Sequence, residues 1–543
     1  MMKRFFTLLL VLTQGIVFSQ EDAWVYFKDK PDSQHFLNNP LLMLSQRALN
    51  RRIAQNIALE DRDVPVYQPY VKQITDRIGI TVMAKSKWLN ALHIRGAEMS
   101  IKELSQLTCV ERIDFANKSL NTDGGIVSAH KDNNKAVFTK LAAVQSDFQS
   151  QELTDTQIQM LNGHLLHQEG YTGNGKMIAV TDSGFVGVDT DDPFKRIRDN
   201  NKIKGSYNFV TRSENVYGVS DHGTMVLSTM AAHIENRFNG TAPDASYYLF
   251  TTEIKDVKNP IEESLWVEAA EKSDSLGVDI INASLGHYKF DNPAYDYTDQ
   301  NMDGKTTFIS RGAEMATKTG MIVVASAGDL GNSEWKFITA PADVAGVLSV
   351  GAVNSIKQRL NFSSYGPTSD GRLKPDVMAL GFGVQVINGT EATDSKNGTS
   401  FSAPTVAGLI ACLWQALPGK TNKEIVALVK ESADRYQNPN NFYGYGIPDF
   451  YKAIEEQVLA THTYTLNEFK LYPNPTDALI TIRTSGNKNT VFLLYNNVGQ
   501  EIIRQQLTGL EETTVSMENL ESGLYLYTIV SDERTFSGKI IKK

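Results

Sequence analysis

Apolar and polar residues alternate with different periods along this 543-residue chain and divide it into three regions. From residue 23 to about 118, short alternating segments mix with helix-forming ones, which predicts a small α+β unit. From about 176 to 460, near-continuous apolar runs alternate with helix-length stretches, which predicts a mostly parallel α/β sheet with helices on both faces. Residues 469–543 hold short strands between turn signals, typical of a small β-sandwich.

Within the first region the pattern predicts individual elements. Strands are expected at 24–27, 78–82, 89–94 and 110–115. Helices are expected at 38–59 and 101–107. The stretch 119–150 is polar and weakly patterned, as an exposed connector would be.

The chain begins with a basic and then apolar segment. Lys3 and Arg4 precede an apolar run over residues 5–12, and charge returns at Glu21. This order is typical of a secretory signal peptide, which we expect to end after Ser19. No later segment reaches the ~20 apolar residues that a membrane-spanning helix needs, so the mature protein is expected in soluble form outside the cytoplasm. A separate folded unit ahead of a secreted domain suggests a propeptide.

Charge and cysteine content narrow the function classes. The formal net charge of −9 argues against nucleic acid as a partner, because phosphate binding needs clustered Lys and Arg. Cys109 and Cys412 lie about 300 residues apart and do not form a disulfide framework.

Three polar residues stand where catalytic groups are expected. Asp182 ends the strand 176–181, and in open α/β sheets catalytic groups gather at the carboxyl ends of strands. His222 leads into an apolar helix. Ser400 precedes another, where unpaired N–H groups and the helix dipole favour negative charge. Each also has a structural interpretation, as a turn residue, a structural histidine and an N-cap. The sequence around Ser400 does not match the Gly-x-Ser-x-Gly motif of the α/β-hydrolases, because Ser402 stands where the second glycine of that motif would be.

The motifs around these residues resemble those of the subtilisin-like serine proteases, the subtilases of peptidase family S8. The matching segments are Val180-Thr181-Asp182-Ser183-Gly184, His222-Gly223-Thr224, Gly240-Thr241-Ala242-Pro243, Ile281-Asn282-Ala283-Ser284-Leu285-Gly286, Phe362-Ser363-Ser364-Tyr365-Gly366-Pro367 with Lys374-Pro375-Asp376, and Gly398-Thr399-Ser400-Phe401-Ser402-Ala403-Pro404. The resemblance implies a subtilisin-like fold and peptide-bond hydrolysis through an acyl-enzyme, without a cofactor for the chemistry.

The resemblance also assigns roles to single residues. It implies that Asp182 orients His222, that His222 is the general base, and that Ser400 is the nucleophile. Protein or peptide substrates are the expected partners. Their extended backbone is expected to pair with an edge strand formed by Ser284, Leu285 and Gly286.

One position departs from the family pattern. Most subtilases have an asparagine where this chain has Asp329, after the buried strand 321–327. That asparagine donates a hydrogen bond to the oxyanion, whereas an ionised carboxylate would repel the same charge. The leading hypothesis is a protonated Asp329 that donates. The alternatives are the backbone N–H of Ser400 with bound water, or Asn332. The departure also leaves open a catalytically impaired subtilase fold that acts as a surface binding protein.

A short acidic segment resembles the beginning of a calcium loop. Asp299, Asn301 and Asp303 place oxygen atoms on alternate residues before Gly304. The glutamate expected twelve positions along is missing, since Ser310 occupies that position. A solvated turn is therefore the favoured interpretation. A structural calcium ion stays open because subtilases often bind calcium.

Residues 469–543 resemble the C-terminal sorting domains of the Bacteroidetes type IX secretion system. The segments that carry this resemblance are Leu471-Tyr472-Pro473-Asn474-Pro475-Thr476, Asn497-Val498-Gly499-Gln500, Gly523-Leu524-Tyr525 and Gly538-Lys539-Ile540-Ile541-Lys542-Lys543. The resemblance implies the type IX machinery as a partner, and a secreted or cell-surface location in a Gram-negative, Bacteroidetes-like bacterium. A carbohydrate-binding or adhesive module is the alternative, but it would not explain the basic final residues.

The predicted organisation has four parts. These are a signal peptide over 1–19, a propeptide over 20–138, a subtilase domain over 139–460 and a sorting domain over 461–543. Subtilase propeptides assist folding and inhibit the enzyme with their C-terminal end, so this chain's own propeptide is an expected inhibitor. Its removal is predicted near 120–145.

Overall fold

The computed structural model describes residues 20–121, 154–389, 392–455, 469–484, 490–496, 499–507, 512–531 and 534–543. The predicted signal peptide and nearly all of the predicted cleavage region lie outside these ranges. The chain divides into two compact units, Met1–Ala453 and Ile454–Lys543, which are described separately. None of the helices within the described ranges is long and apolar enough to cross a membrane.

The first unit begins with a four-stranded antiparallel sheet in the order β2-β3-β1-β4. Its strands are β1 (Gln20–Phe27), β2 (Ile80–Ser86), β3 (Ala91–Ala97) and β4 (Val110–Phe115). Its helices are α1 (Ser33–Asn38), α2 (Gln46–Ala54), α3 (Gln68–Thr75) and α4 (Glu98–Glu103). The predicted α+β character is confirmed.

The predicted helix over residues 38–59 is wrong in its extent. Helix α1 ends at Asn38, Pro40–Leu42 forms a separate 3₁₀ turn, and α2 is the α-helix that follows. Proline lacks the N–H that a helix interior needs, and Ser45 starts a new helix by accepting a hydrogen bond from the Ala48 N–H at 3.2 Å. Asn56, at φ 55°, ends it.

The rest of the first unit is built on a seven-stranded sheet in the order β13-β12-β11-β10-β5-β9-β6, in which neighbouring strands are parallel. The strands of this part are β5 (Met177–Asp182), β6 (Ile203–Asn208), β7 (His233–Ile234), β8 (Phe238–Asn239), β9 (Ser246–Thr251), β10 (Ile280–Ala283), β11 (Ile322–Ser326), β12 (Leu348–Val353), β13 (Val377–Leu380), β14 (Val384–Ile387) and β15 (Thr393–Lys396). The short strands pair as β7-β8 and β14-β15.

Helices flank this sheet and complete the predicted α/β architecture. They are α5 (Asp155–Gln159), α6 (Gly163–Gln168), α7 (Lys195–Asp199), α8 (His222–Ala231), α9 (Ile261–Leu276), α10 (Phe308–Lys318), α11 (Thr399–Ala416) and α12 (Asn422–Glu431), and residues 450–455 are also helical. Helices α8 and α11 pack against each other and the sheet, and α9 and α10 form a second pair. Nearly every residue of α11 up to Trp414 is buried, which fixes the position of its first turn.

The N-terminal sheet packs on α9 and α10 through one continuous apolar cluster. Trp24 of β1 stacks on Phe308 with ring centroids 5.1 Å apart. Its indole N–H also donates to Ser264 Oγ at 2.9 Å.

Buried carboxylates of α9 add polar bonds to this contact. Glu271 accepts from Ser86 Oγ (2.6 Å) and from the two N–H groups of residues 87–88 (both 3.0 Å). Asp274 pairs with Arg52 of α2 at 2.9 Å. Loss of one partner of such a buried ion pair typically costs about 3–5 kcal/mol.

The second unit contains two antiparallel sheets, ordered β16-β17-β20 and β19-β18-β21-β22. The strands are β16 (Phe469–Tyr472), β17 (Leu479–Thr484), β18 (Thr490–Tyr495), β19 (Glu501–Leu507), β20 (Glu512–Ser516), β21 (Gly523–Ser531) and β22 (Arg534–Lys542). Buried side chains of both sheets form one core, including Ile480, Phe492 and Ile540. The predicted β-sandwich is confirmed.

Candidate active site

Asp182 lies at the carboxyl end of β5, near the middle of the parallel sheet. Its side chain is fully buried. Oδ1 accepts a hydrogen bond from the Ser183 N–H at 2.7 Å, which helps to hold the carboxyl group in place.

His222 is the first residue of α8 and contacts Asp182 directly. Its Nδ1 lies 2.8 Å from Oδ1 and 3.0 Å from Oδ2 of that carboxylate. A Cβ on the next residue, Gly223, would lie 2.3 Å from the Gly184 carbonyl oxygen and 2.9 Å from Asp182 Cβ. Only glycine therefore permits this approach of α8 to β5. The Asp221 side chain is not the partner of His222.

The electrostatics of this pair favour a charged imidazole. Burial alone would lower the pKa of His222, but the charge and hydrogen bond of Asp182 outweigh it and raise the pKa to about 9. Asp182 is thus placed to stabilise an imidazolium.

Ser400 is the second residue of α11 and is half-buried. Pro404, four residues on, has no N–H, so the Ser400 carbonyl lacks its usual helical partner. Ser284 Oγ donates to that carbonyl at 2.8 Å instead. The Ser400 hydroxyl points back and donates to the Ser284 carbonyl at 3.4 Å. Two reciprocal contacts, one from the carbonyl and one from the hydroxyl of Ser400, therefore hold this residue against Ser284.

The start of α11 and the His222 ring come together at the same place. The ring centroids of His222 and Phe401 are 5.9 Å apart. Over the described part of the chain, no hydrogen bond joins His222 to Ser400, whose hydroxyl faces Ser284 instead. Catalytic hydrogen bonds are often long without substrate and tighten in the Michaelis complex.

Asp329 follows β11 and caps the helix that carries Ser400. Its Oδ1 accepts from the Thr399 N–H at 2.9 Å and from Thr399 Oγ1 at 2.8 Å. Surrounding protein hinders hydration and raises the pKa of the carboxyl, while the Thr399 donors and His222 lower it. The residue is exposed to solvent, which limits the rise. Asp329 thus lies next to the predicted nucleophile, with Oδ1 committed to Thr399.

Ser284, Leu285 and Gly286 continue directly from β10, between the carboxyl ends of its neighbours. They lie outside the regular strand. A Cβ at Gly286 would lie 2.3 Å from Thr339 Oγ1, so the chain is tightly packed here. Ser284, predicted to bind substrate, also reaches Ser400.

In the segment 299–304, which resembles a calcium loop, the side-chain oxygens accept hydrogen bonds from nearby backbone N–H groups. Asp303 Oδ1 accepts from two N–H groups, those of Lys305 and Thr306, at 2.8 and 2.7 Å. Asn301 Oδ1 accepts from the Thr298 N–H at 2.8 Å, and Asp299 Oδ1 from its neighbour's N–H at 3.0 Å. Within the described ranges, no three His, Cys, Asp or Glu residues form a group that could hold a metal ion.

Two contacts were missed by sequence reasoning. The sequence motif gives Thr399 no role of its own, although this residue holds Asp329 with both of its donors. The Ser284–Ser400 bond had a signal in Pro404, because a proline in the second turn frees the carbonyl four residues earlier. The partner of that carbonyl, 116 residues away, was not readable from spacing.

Comparison with known proteins agrees with this geometry. Residues 173–446 match the subtilase family, residues 22–136 match a Bacteroidota propeptide domain of peptidase family S8, and residues 470–543 match a secretion system C-terminal sorting domain. The chain belongs to the subtilase family of serine peptidases.

Individual relatives give the same result. Subtilisin NAT of Bacillus subtilis subsp. natto is 32% identical over 296 residues, which cover 53% of this chain and 68% of that protein. Subtilisin of Bacillus pumilus is 31% identical over 296 residues, covering 53% and 94% of the two chains. The protein is a serine protease with a propeptide, secreted or displayed on the cell surface of a member of the Bacteroidetes.

Proposed function

We propose that this protein is an endopeptidase that cleaves peptide bonds through Asp182, His222 and Ser400 by way of an acyl-enzyme. The contact of His222 Nδ1 with both oxygens of buried Asp182 carries the proposal, because it leaves Nε2 for the nucleophile. The position of Ser400 at the start of α11 supports it, since the helix N-terminus favours negative charge.

The reaction begins when His222 Nε2 accepts the Ser400 hydroxyl proton as Oγ attacks the peptide carbonyl. The imidazolium that forms is stabilised by Asp182 and then gives its proton to the leaving amine. Water, deprotonated by the same imidazole, hydrolyses the acyl-enzyme and frees Ser400. A free serine hydroxyl is too weak a nucleophile for this attack without such a base.

The substrate is proposed to extend along Ser284, Leu285 and Gly286. Their backbone continues β10 toward Ser400, so an added strand would bring its scissile carbonyl to the hydroxyl. Thr339 Oγ1 fills the space that a Cβ of Gly286 would take, so this residue offers the substrate its backbone alone.

The oxyanion is proposed to face Asp329 and the Ser400 N–H. With Oδ1 engaged by Thr399, Oδ2 is the oxygen available to carry a proton and donate. The raised pKa supports protonation, whereas the two Thr399 donors favour the ionised form. A protonated Asp329 therefore fits best at the acidic end of the working range, and the Ser400 N–H carries more of the stabilisation at higher pH.

The N-terminal sheet is proposed to act as an inhibitor and folding aid until it is removed. Its close packing on α9 and α10, with Glu271 and Asp274 bonded across the contact, supports this role. We expect the active protein to begin within residues 120–145. An active form whose N-terminus lies upstream of Trp24 would contradict the proposal.

Asp329 also motivates a second candidate, a subtilase fold with poor catalysis that binds other molecules at the surface. Cleavage of a denatured protein substrate by the processed protein separates the two. The endopeptidase proposal predicts turnover that disappears in both Ser400→Ala and His222→Ala. Absence of turnover from the processed wild type would favour the second candidate, and turnover retained in these variants would contradict the roles assigned to Ser400 and His222.

A further inference from the structure

One face of the C-terminal β-sandwich is apolar but not used for its core. In the sheet β19-β18-β21-β22, the side chains that point inward fill the space between the two sheets. They include Phe492, Leu494, Tyr525, Ile529 and Ile540. Successive side chains of a strand point to opposite faces, so Leu524, Leu526 and Ile541 point outward. Their exposed fractions are 48%, 41% and 49%. The outward face of such a sheet is normally polar.

Strand register gathers these side chains into one patch. Leu524 lies opposite Ile541, and Leu526 lies between Tyr495 on β18 and Lys539 on β22. We call Tyr495, Leu524, Leu526 and Ile541 the outer-face patch. Exposed apolar side chains that are contiguous commonly mark a binding surface.

The edge of the last strand is already occupied beside this patch. Asn474 donates from Nδ2 to the Lys539 carbonyl (2.7 Å) and accepts from the Ile541 N–H (2.9 Å). The Thr476 N–H donates to the Ile541 carbonyl, and the Lys543 N–H donates to the Thr476 carbonyl, both at 2.9 Å. A partner therefore cannot add a strand along residues 539–543, so beside the patch this edge is closed and the broad face stays accessible.

The charges at the border of the patch indicate the chemistry of the partner. Lys539 is exposed next to Leu526, and no described carboxylate pairs with it. Glu501 and Arg504, on the opposite side, neutralise each other through a two-bond pair at 2.9 Å. The border thus carries an uncompensated positive charge on its β22 side, which a carboxylate of a partner would complement.

We propose that the outer-face patch is the surface that a protein of the export machinery binds when it recognises this sorting domain. The binding protein presents an apolar surface with at least one carboxylate opposite Lys539. The Asn474–Thr476 segment acts indirectly, by holding β22 in the position that sets Lys539 beside Leu526 and Ile541 beside Leu524.

The test uses the full chain expressed in a Bacteroidetes host with an active type IX system. Leu526→Lys places a charge in the patch. Leu479→Lys is the matched control, because Leu479 is 50% exposed on the other sheet. The measurement is the fraction of protein outside the outer membrane relative to the periplasm, with thermal unfolding of each variant. If Leu526 lies at the centre of the interface, Leu526→Lys should lower the exported fraction about tenfold or more, because central interface residues contribute most of the binding energy. The exported fraction of Leu479→Lys should not change.

Each other outcome has a definite meaning. Wild-type export of folded Leu526→Lys, or equal loss in both variants, overturns the proposal. If Leu526→Lys unfolds, Lys539→Glu at the exposed border decides, with reduced export expected and normal export contradicting. If wild type forms dimers that Leu526→Lys separates without a change in export, the patch binds a second copy and the proposal is wrong.

Discussion

Asp329→Asn is the substitution that most sharply probes the active site. The asparagine Oδ1 can still accept both Thr399 hydrogen bonds, so the start of α11 is expected to stay in place. Its Nδ2 replaces Oδ2 and supplies a permanent oxyanion donor. One such donor is worth about 10²–10³ in kcat, or about 2.7–4 kcal/mol.

The pH dependence of the kcat ratio, variant over wild type, distinguishes the explanations. Both proteins use His222, so the titration of the base largely cancels in the ratio. If protonated Asp329 donates, the ratio is near one at acid pH. Above the pKa of the carboxyl it rises about tenfold per pH unit, toward a plateau of about 10²–10³. If Asp329 is ionised throughout, the ratio is high and constant.

The assay is steady-state cleavage of a chromogenic peptide by processed enzyme, normalised by active-site titration. Asn332→Ala is the control for the remaining alternative, because it lowers kcat only if Asn332 supplies the donor. A ratio of one or less at every pH would refute the assignment of residue 329 to the oxyanion position.

Three other predictions concern neighbouring contacts. Asp182→Asn removes the charge that raises the pKa of His222 to about 9, so the rise of kcat/KM with pH should shift toward about 6.5 and kcat should fall roughly 10⁴-fold; an unmoved pH limb contradicts the pairing. Ser284→Ala leaves the Ser400 carbonyl without its partner and should lower kcat more than it changes KM; unchanged kinetics would show that the bond is dispensable. Excess chelator should leave the melting temperature unchanged, and a fall of several degrees would show that a bound metal stabilises the fold.

Local patterns predicted the fold well where burial is two-sided. The continuous apolar runs at β5 and β11 predict strands that are buried on both faces. The alternation of apolar and polar residues predicts the short strands of the second unit. The helix predicted over 38–59 is wrong in its extent because Pro40 and the capping residue Ser45 interrupt the run of helix-forming residues. Proline and caps set helix ends even where helix formers continue.

Only the residues of the candidate site that belong to sequence motifs were predictable. Motif order placed Asp182, His222 and Ser400, and the structure brings these residues to one edge of the sheet. The Thr399–Asp329 and Ser284–Ser400 contacts depend on how three distant segments meet. No periodicity encodes such contacts, because they arise from tertiary packing.

The central claim is that Ser400 is a nucleophile activated by His222. Reaction of the processed protein with a fluorophosphonate probe, followed by mass spectrometry of its peptides, tests it directly. The account predicts one adduct, on Ser400, which is absent in Ser400→Ala and formed far more slowly in His222→Ala. An adduct on another residue, or no adduct on processed protein that is folded, would contradict it.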